Sequence, residues 1–248
     1  MAENILILGA SSSIARALAG QLARDGRRLL LCGRDLEDAE QTAADLRIRD
    51  GVDAQVLRFD ALDFGSHPAF FDAALAHFKG ELHGVIVCFG FMANQADAAR
   101  QPELAKQMID TNYTAAVSIL NLAANYMEPR RKGFLCALSS VAGDRGRQSN
   151  YIYGSSKAAL TAYLQGLRNR LSHANVPVVT IKPGFVDTAM TWGLLNDGPL
   201  VASPERLARD ICRAIRGRKA EVYSPWFWWL IMEIIRSIPE RIFMRLKM

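Results

Sequence analysis

Short runs of mostly consecutive apolar residues recur along the chain at 4–9, 28–32, 54–58, 83–88, 133–138, 177–182 and 220–223. They are rich in Leu, Val and Ile and show little polar alternation, which predicts strands covered on both faces. Between them, apolar and polar positions interleave at helical spacing over about 13–25, 35–50, 66–79, 99–128, 151–174 and 204–216. Strand and helix in regular alternation predict an α/β fold: three layers around a doubly wound parallel sheet of seven strands. No linker rich in Pro, Gly or Ser divides the chain and no repeat is visible, so one domain is expected. In such sheets ligands sit beyond the carboxyl ends of the strands. The residues just after each strand are therefore the ones to inspect.

Composition narrows the class. Of 248 residues, 50% are hydrophobic and 22% charged, which excludes a disordered or low-complexity chain. The core can be large enough to need neither disulfides nor metals. Cys32, Cys88, Cys136 and Cys212 form no CxxC pair, and the four His are scattered, so reduced, inert thiols and no metal site are expected. The net charge of +5 is localised: residues 1–212 balance at 22 basic and 22 acidic, whereas 213–248 hold 8 basic and 3 acidic. Charge confined to a tail and interleaved with aliphatics is not a nucleic-acid footprint. The chain opens on a strand, Asn4 to Leu8, so a cytoplasmic location is expected. The apolar stretch Pro225–Ile235 is too short to span a bilayer.

Four positions after strands could carry chemistry. Gly9-Ala-Ser11-Ser12-Ser13-Ile14-Ala15 passes from a strand through small residues into a helix, where backbone N–H groups could hold a pyrophosphate; a serine-capped helix after a tight turn reads equally well. Gly33-Arg34 follows the second strand with no acid for ribose hydroxyls, and Arg34 suits a 2′-phosphate or is simply a surface Arg. Asp35 reads as the next helix's cap. Asp60-Ala61 follows the third strand, where the carboxylate could accept from an adenine amino group. Tyr153-Gly-Ser-Ser-Lys157 places a phenol and an ammonium one helical turn apart, which would lower the phenol's pKa toward a proton donor's range; an exposed helix face is the plain alternative. Ser140 sits at the carboxyl end of the fifth strand.

Taken together, Gly9, Ser13 and Ala15, then Gly90, Asn112, Ser140, Tyr153, Lys157 and the run Lys182-Pro183-Gly184-Phe-Val186-Asp-Thr188 come in an order and spacing that resemble the short-chain dehydrogenase/reductase family over about residues 4–223. The resemblance implies a Rossmann fold, a nicotinamide cofactor and hydride transfer between it and a carbonyl or alcohol. It implies Tyr153 as general acid/base and Lys157 as the group that lowers the Tyr pKa and binds the nicotinamide ribose. Ser140 would hydrogen-bond the substrate carbonyl, and Asn112 would relay protons through a water and the lysine. Gly9, Ser11, Ser12, Ser13, Ile14, Arg34, Asp60, Ala61, Gly90, Pro183, Gly184, Val186 and Thr188 would line the cofactor, with Arg34 favouring NADP(H) over NAD(H). Two departures stand out: the family's G-x-x-x-G-x-G appears as Gly9, Ser13, Ala15, and its Asn-Asn-Ala-Gly as Val87-Cys88-Phe89-Gly90. A homodimer or homotetramer acting on a small molecule is the expected assembly.

A lid over 189–203, with Met190, Trp192, Leu194 and Leu195, would form an apolar pocket wall. Residues 1–224 are expected to form the domain and 225–248 a helical tail. There Trp226, Phe227, Trp228 and Trp229 precede Arg236, Arg241, Arg245 and Lys247 set among isoleucines, with Pro239 breaking the helix. Aromatics ahead of a basic amphipathic helix suit peripheral contact with the inner face of a membrane; oligomer packing or an edge-covering helix would use the same pattern. The run from Val222 to Glu240 also resembles the branch that reduces polyprenyl-phosphate-linked keto-sugars. The expectation is an NADP(H)-dependent carbonyl reductase with an apolar or lipid-linked substrate. The alternatives are a soluble 3-oxoacyl or hydroxysteroid-type reductase and a non-catalytic NADP-sensing protein.

Overall fold

The computed structural model describes residues 2–189, 198 and 200–246. The expected strands appear in place: β1 (Asn4–Leu8), β2 (Arg28–Gly33), β3 (Ala54–Arg58), β4 (Gly84–Val87), β5 (Phe134–Leu138), β6 (Val178–Pro183) and, after a short pair β7 (Phe185–Val186) and β8 (Val201–Ala202), β9 (Glu221–Ser224). The central sheet runs β3-β2-β1-β4-β5-β6-β9 with every pair parallel. The order reverses between β1 and β4, so a crevice opens there at the carboxyl edge. β1, β4, β5 and β6 are buried along their whole length, which is why their sequences lack polar alternation.

Two apolar layers cover the sheet. On one face α1 (Ser13–Arg24), α2 (Leu36–Asp50) and α8 (Pro204–Arg216) pack through Leu18, Leu22, Leu46, Leu207 and Ile211. On the other, α3 (His67–His77), α6 (Ala115–Arg130) and α7 (Tyr151–Ser172) pack through Phe70, Phe71, Ile119, Leu164 and Leu167. Asp35 caps α2 as expected, its carboxylate accepting from Asp38 N–H at 3.0 Å.

The long middle helix expected over 99–128 is not continuous. It divides into α4 (Gln95–Arg100), α5 (Pro102–Ile109), a π-helical turn at Asp110–Thr114 and α6. Pro102 opens α5 because proline cannot donate inside a helix. The π turn coincides with Asn112, whose buried amide is drawn out of helical register by long-range partners described below.

The tail is part of the body. α9 (Phe227–Ser237) ends at Pro239, as the proline predicts, and α10 (Glu240–Phe243) follows. Trp228, Met232, Ile235 and Phe243 are buried against Val141, Tyr223 and Phe185. Met232, Ile235 and Phe243 alone contribute about 1.5–3 kcal/mol each. Arg145 fastens the far end: its Nη1 donates to the carbonyls of Ile235, Arg236 and Ile238 at 2.8, 3.0 and 2.6 Å. Its Nη2 pairs with Glu240 at 2.8 Å, and the guanidinium lies 3.9 Å over the Phe243 ring. A cation on the last carbonyls of a helix also complements its dipole. The lid residues Met190, Trp192, Leu194 and Leu195, and Lys247, lie outside the described residues.

Candidate active site

The first turn is built for close approach. Gly9 adopts φ +88°, and a Cβ there would stand 2.5 Å from the backbone nitrogen of Phe89. Only glycine fits on both counts. The chain then enters α1, where Ser12 caps the helix by accepting from Ala15 N–H at 3.1 Å. The N-terminus of α1 faces a cleft of about 530 Å³ lined by Gly9, Ser11, Ser12, Ser13, Ile14, Arg34, Asp60, Ala61, Gly90 and Thr188. The Ser13 hydroxyl is buried there without a partner. Arg34 is exposed at the cleft with no carboxylate within 4.0 Å among the described residues, whereas nearby Arg16 pairs with Asp38. Cationic, N–H-rich and walled by small residues, the cleft fits a dinucleotide pyrophosphate. Despite the altered fourth-strand motif, Cys88 N–H still donates to Leu8 O at 2.8 Å, which keeps the strand end in register.

A second cavity of about 390 Å³ shares Ile14, Cys88, Phe89, Gly90 and Thr188 with the cleft, so the two adjoin. It gathers Ser140, Tyr153, Lys157, Pro183, Gly184 and Val186. Ser140 begins a tight turn, Val141–Gly143, and its Oγ accepts from Ala142 N–H at 3.1 Å, which leaves its own proton to donate. That turn sits directly on α7. A Cβ on Gly143 would lie 2.7 Å from Ala158 N and 2.8 Å from Lys157 C; one on Gly154 would lie 2.7 Å from Ala142 O. Ser139 tightens the junction, donating to Lys157 O at 3.0 Å and sharing a 2.7 Å hydrogen bond with Thr161. Lys157 is buried, donates from Nζ to Leu138 O at 3.0 Å, and lies 5.8 Å from the centroid of the Tyr153 ring.

Burial governs the protonation of this pair. It pushes the Tyr153 phenol up to about 12, opposed by hydrogen bonding to Ser140, and pushes Lys157 down to about 8. The lowered phenol pKa expected from a neighbouring ammonium is not what this structure gives: burial is the larger cause and raises it. A phenol held protonated is a competent proton donor all the same. Burial also raises the Cys88 thiol to about 12, so it lines the junction of the cavities as a neutral wall.

Among the described residues Asn112 is the one predicted site residue that lines neither cavity. Its Oδ1 accepts from Phe91 N–H at 2.8 Å, and its Nδ2 donates to Phe91 O at 2.8 Å and Ser156 Oγ at 3.1 Å. The side chain acts as a clamp: the amide ties the loop after β4 to α7. The sequence reading missed Gln95, Arg147 and Asn150, which line the second cavity. They lie on loops or a short helix, where no periodicity marks an inward-facing residue.

The family model described as short chain dehydrogenase matches residues 3–198. The chain belongs to the short-chain dehydrogenase family. It is 33% identical over 245 residues to an uncharacterised oxidoreductase of Mycobacterium tuberculosis, covering 99% of this chain and 97% of that protein. An uncharacterised oxidoreductase of Streptomyces coelicolor is 35% identical over 246 residues, covering 98% and 96%. A short-chain dehydrogenase from Sphingobium yanoikuyae, solved in complex with NADPH, superposes with a TM-score of 0.81 at 24% identity, covering 96% of this chain and 97% of that one. The fold and the family agree with the expectation from sequence: this is a nicotinamide-dependent oxidoreductase.

The electrostatics can be read directly. In 13C NMR of the full-length protein, the Lys157 ε-carbon, assigned through Lys157→Arg, is expected to titrate near pH 8. A titration above pH 10 would contradict the desolvated lysine.

Proposed function

We propose that this short-chain dehydrogenase is an NADP(H)-preferring carbonyl reductase whose substrate is apolar or lipid-linked. One observation carries the reading: Ser140, Tyr153 and Lys157 line one cavity that adjoins a cleft edged by Arg34, which has no carboxylate within 4.0 Å among the described residues. Gly9, Ser12, Ser13 and the N-terminus of α1 would hold the pyrophosphate. Arg34 would take a 2′-phosphate, the feature that separates NADP(H) from NAD(H). The related Sphingobium enzyme was solved with NADPH, which supports this preference. A bound nicotinamide supplies or accepts a hydride at the carbonyl carbon.

The chain's own residues do the proton work. Ser140 donates a hydrogen bond to the carbonyl oxygen and strengthens it as negative charge develops there. Tyr153, protonated up to about pH 12, gives its proton to that oxygen. Lys157, held by Leu138 O, keeps a positive charge beside the phenol below about pH 8 and favours the phenolate left behind. In the alcohol-oxidising direction the same groups run in reverse.

The tail favours a lipid-linked substrate, of which a polyprenyl-phosphate-linked keto-sugar is one example. The inner face of α9 is buried, but Trp226, Trp229, Leu230 and Ile234 on the outer face are half exposed or more, as are Ile242 and Met244 beyond it. A hollow beside β9 brings Arg206, Arg213 and Lys219 together with Trp226 and Trp229, and Arg236, Arg241 and Arg245 are exposed nearby. Arg213 pairs with Asp210 and Arg236 with Glu233, yet exposed aromatics among so many cations match the headgroup region of an anionic membrane. No helix among the described residues is long and apolar enough to cross a membrane, so the contact would be peripheral. The exposed apolar face favours this over a wholly soluble 3-oxoacyl or hydroxysteroid-type role.

Tyr153→Phe is expected to lower kcat at least 1,000-fold against a carbonyl panel while leaving the NADPH Kd within about threefold. Retained turnover would refute the catalytic assignment, and equal kcat/KM with NADH and NADPH would refute the role of Arg34. In sedimentation with vesicles containing phosphatidylglycerol, wild type should pellet and Trp226→Ser/Trp229→Ser should remain in solution; equal partition of the two would reject the membrane contact.

A further inference from the structure

Arg147 is the one guanidinium in the reaction cavity, and its partners do not account for it. It lines the same cavity as Ser140, Tyr153 and Lys157 and is absent from the lining of the dinucleotide cleft. Its Nη2 donates to Val141 O at 3.2 Å and approaches the Met232 sulfur at 3.6 Å, while its Nε is buried with no acceptor. Among the described residues no carboxylate lies within 4.0 Å of it. The neighbouring charges are all engaged elsewhere. Asp144 holds Lys182 at 2.7 Å and accepts from the Tyr223 hydroxyl at 2.8 Å. Arg145 is occupied by Glu240 and the end of α9.

Asp144 acts on Arg147 only from beyond ion-pair distance and is shared with Lys182, and a half-buried cation so weakly compensated is costly to a fold unless something else supplies the charge. Burial does lower the Arg147 pKa, yet a guanidinium stays protonated, so the charge persists. Two more orphans border the same cavity. Gln95 Oε1 accepts from Ile152 N–H at 3.0 Å, which fixes the amide and leaves Nε2 as a buried donor without an acceptor. Asn150 Oδ1 is a buried acceptor without a donor. Unsatisfied polar atoms are few in native proteins, and here three belong to residues that line one cavity.

We infer that the substrate carries an oxyanion, a phosphate or a carboxylate, which seats on Arg147 beside its reacting carbonyl, so that Arg147 sets substrate specificity. This rests on the carbonyl-reductase reading and adds to it: the cavity is selective for charge as well as for apolar bulk. Among the described residues Arg147 Nη1 makes no hydrogen bond, and a guanidinium N–H is a strong donor to such an oxyanion. Met232 of α9 backs the guanidinium, so the tail that faces outward also sets the position of this residue.

The test is isothermal titration of the full-length protein, saturated with NADP+ to occupy its phosphate sites, with octyl phosphate, octanoate and 1-octanol. At least one of the anions should bind ten or more times tighter than octanol. That preference should fall at least tenfold in Arg147→Met and be partly restored in Arg147→Lys, which also reports on folding, with octanol binding unchanged throughout. The tighter of the two anions identifies the group as phosphate or carboxylate. Equal binding of anion and alcohol by wild type, or undiminished anion binding by Arg147→Met, would overturn the proposal. NADPH affinity is measured on the same proteins. If wild type fails to bind NADPH, the carbonyl-reductase reading fails, while the anion titrations without cofactor still judge Arg147.

Discussion

The site depends on one packing contact: the turn at Val141–Gly143 pressed against α7. Everything that could do chemistry hangs from one side of it or the other. Ser140 begins the turn, Tyr153 and Lys157 ride on the helix, and one glycine on each side, Gly143 against Lys157–Ala158 and Gly154 against Ala142, leaves no room for a Cβ. Buried hydrogen bonds from Ser139 and Lys157 to backbone carbonyls then fix the separation. Because β5 is a central parallel strand, the turn stands at the carboxyl edge beside the crevice where strand order reverses. The sheet therefore supplies the location, and the turn-on-helix contact supplies the geometry. Side chains held this way need little reorganisation when charge develops.

The same economy extends to the tail. One short helix presents two apolar faces: Trp228, Met232 and Ile235 toward Gly184, Phe185 and Val141, and Trp226, Trp229 and Ile234 outward. The inner face forms a wall behind the reaction cavity and reaches Arg147 through Met232. The loop between β5 and α7 thus carries a catalytic candidate at Ser140, the fastening of the tail at Arg145, and the cation of the cavity at Arg147. A buried network of Lys182, Asp144, Glu221 and Tyr223 ties that loop to the sheet edge. A surface helix and a reaction cavity are mechanically one unit here.

The strands were legible because burial on both faces writes a continuous apolar run, as in Asn4–Leu8 and Phe134–Leu138. Tyr153 and Lys157 were legible because four residues are one helical turn. What escaped depends on contacts distant in sequence. Asn112 looks the same in an α-helix or a π turn, and only its bonds to Phe91 and Ser156 select the latter. Arg145 and Arg147 alternate on an irregular loop, so nothing local tells which one caps a helix 90 residues later and which one enters the cavity. The phenol's raised pKa escaped because adjacency on a helix does not reveal how much of the side chain the fold buries.

Gly143→Ala tests the turn-on-helix contact most directly, since its one added methyl stands where no atom fits and touches no reacting group. Three quantities decide: the melting temperature, the NADPH Kd and kcat for carbonyl reduction. A folded variant that binds NADPH within about twofold of wild type but loses at least tenfold in kcat is the expected result, because misplacing reacting groups by about 1 Å costs up to ~100-fold. A folded variant with wild-type kcat would show that the contact does not assemble the site.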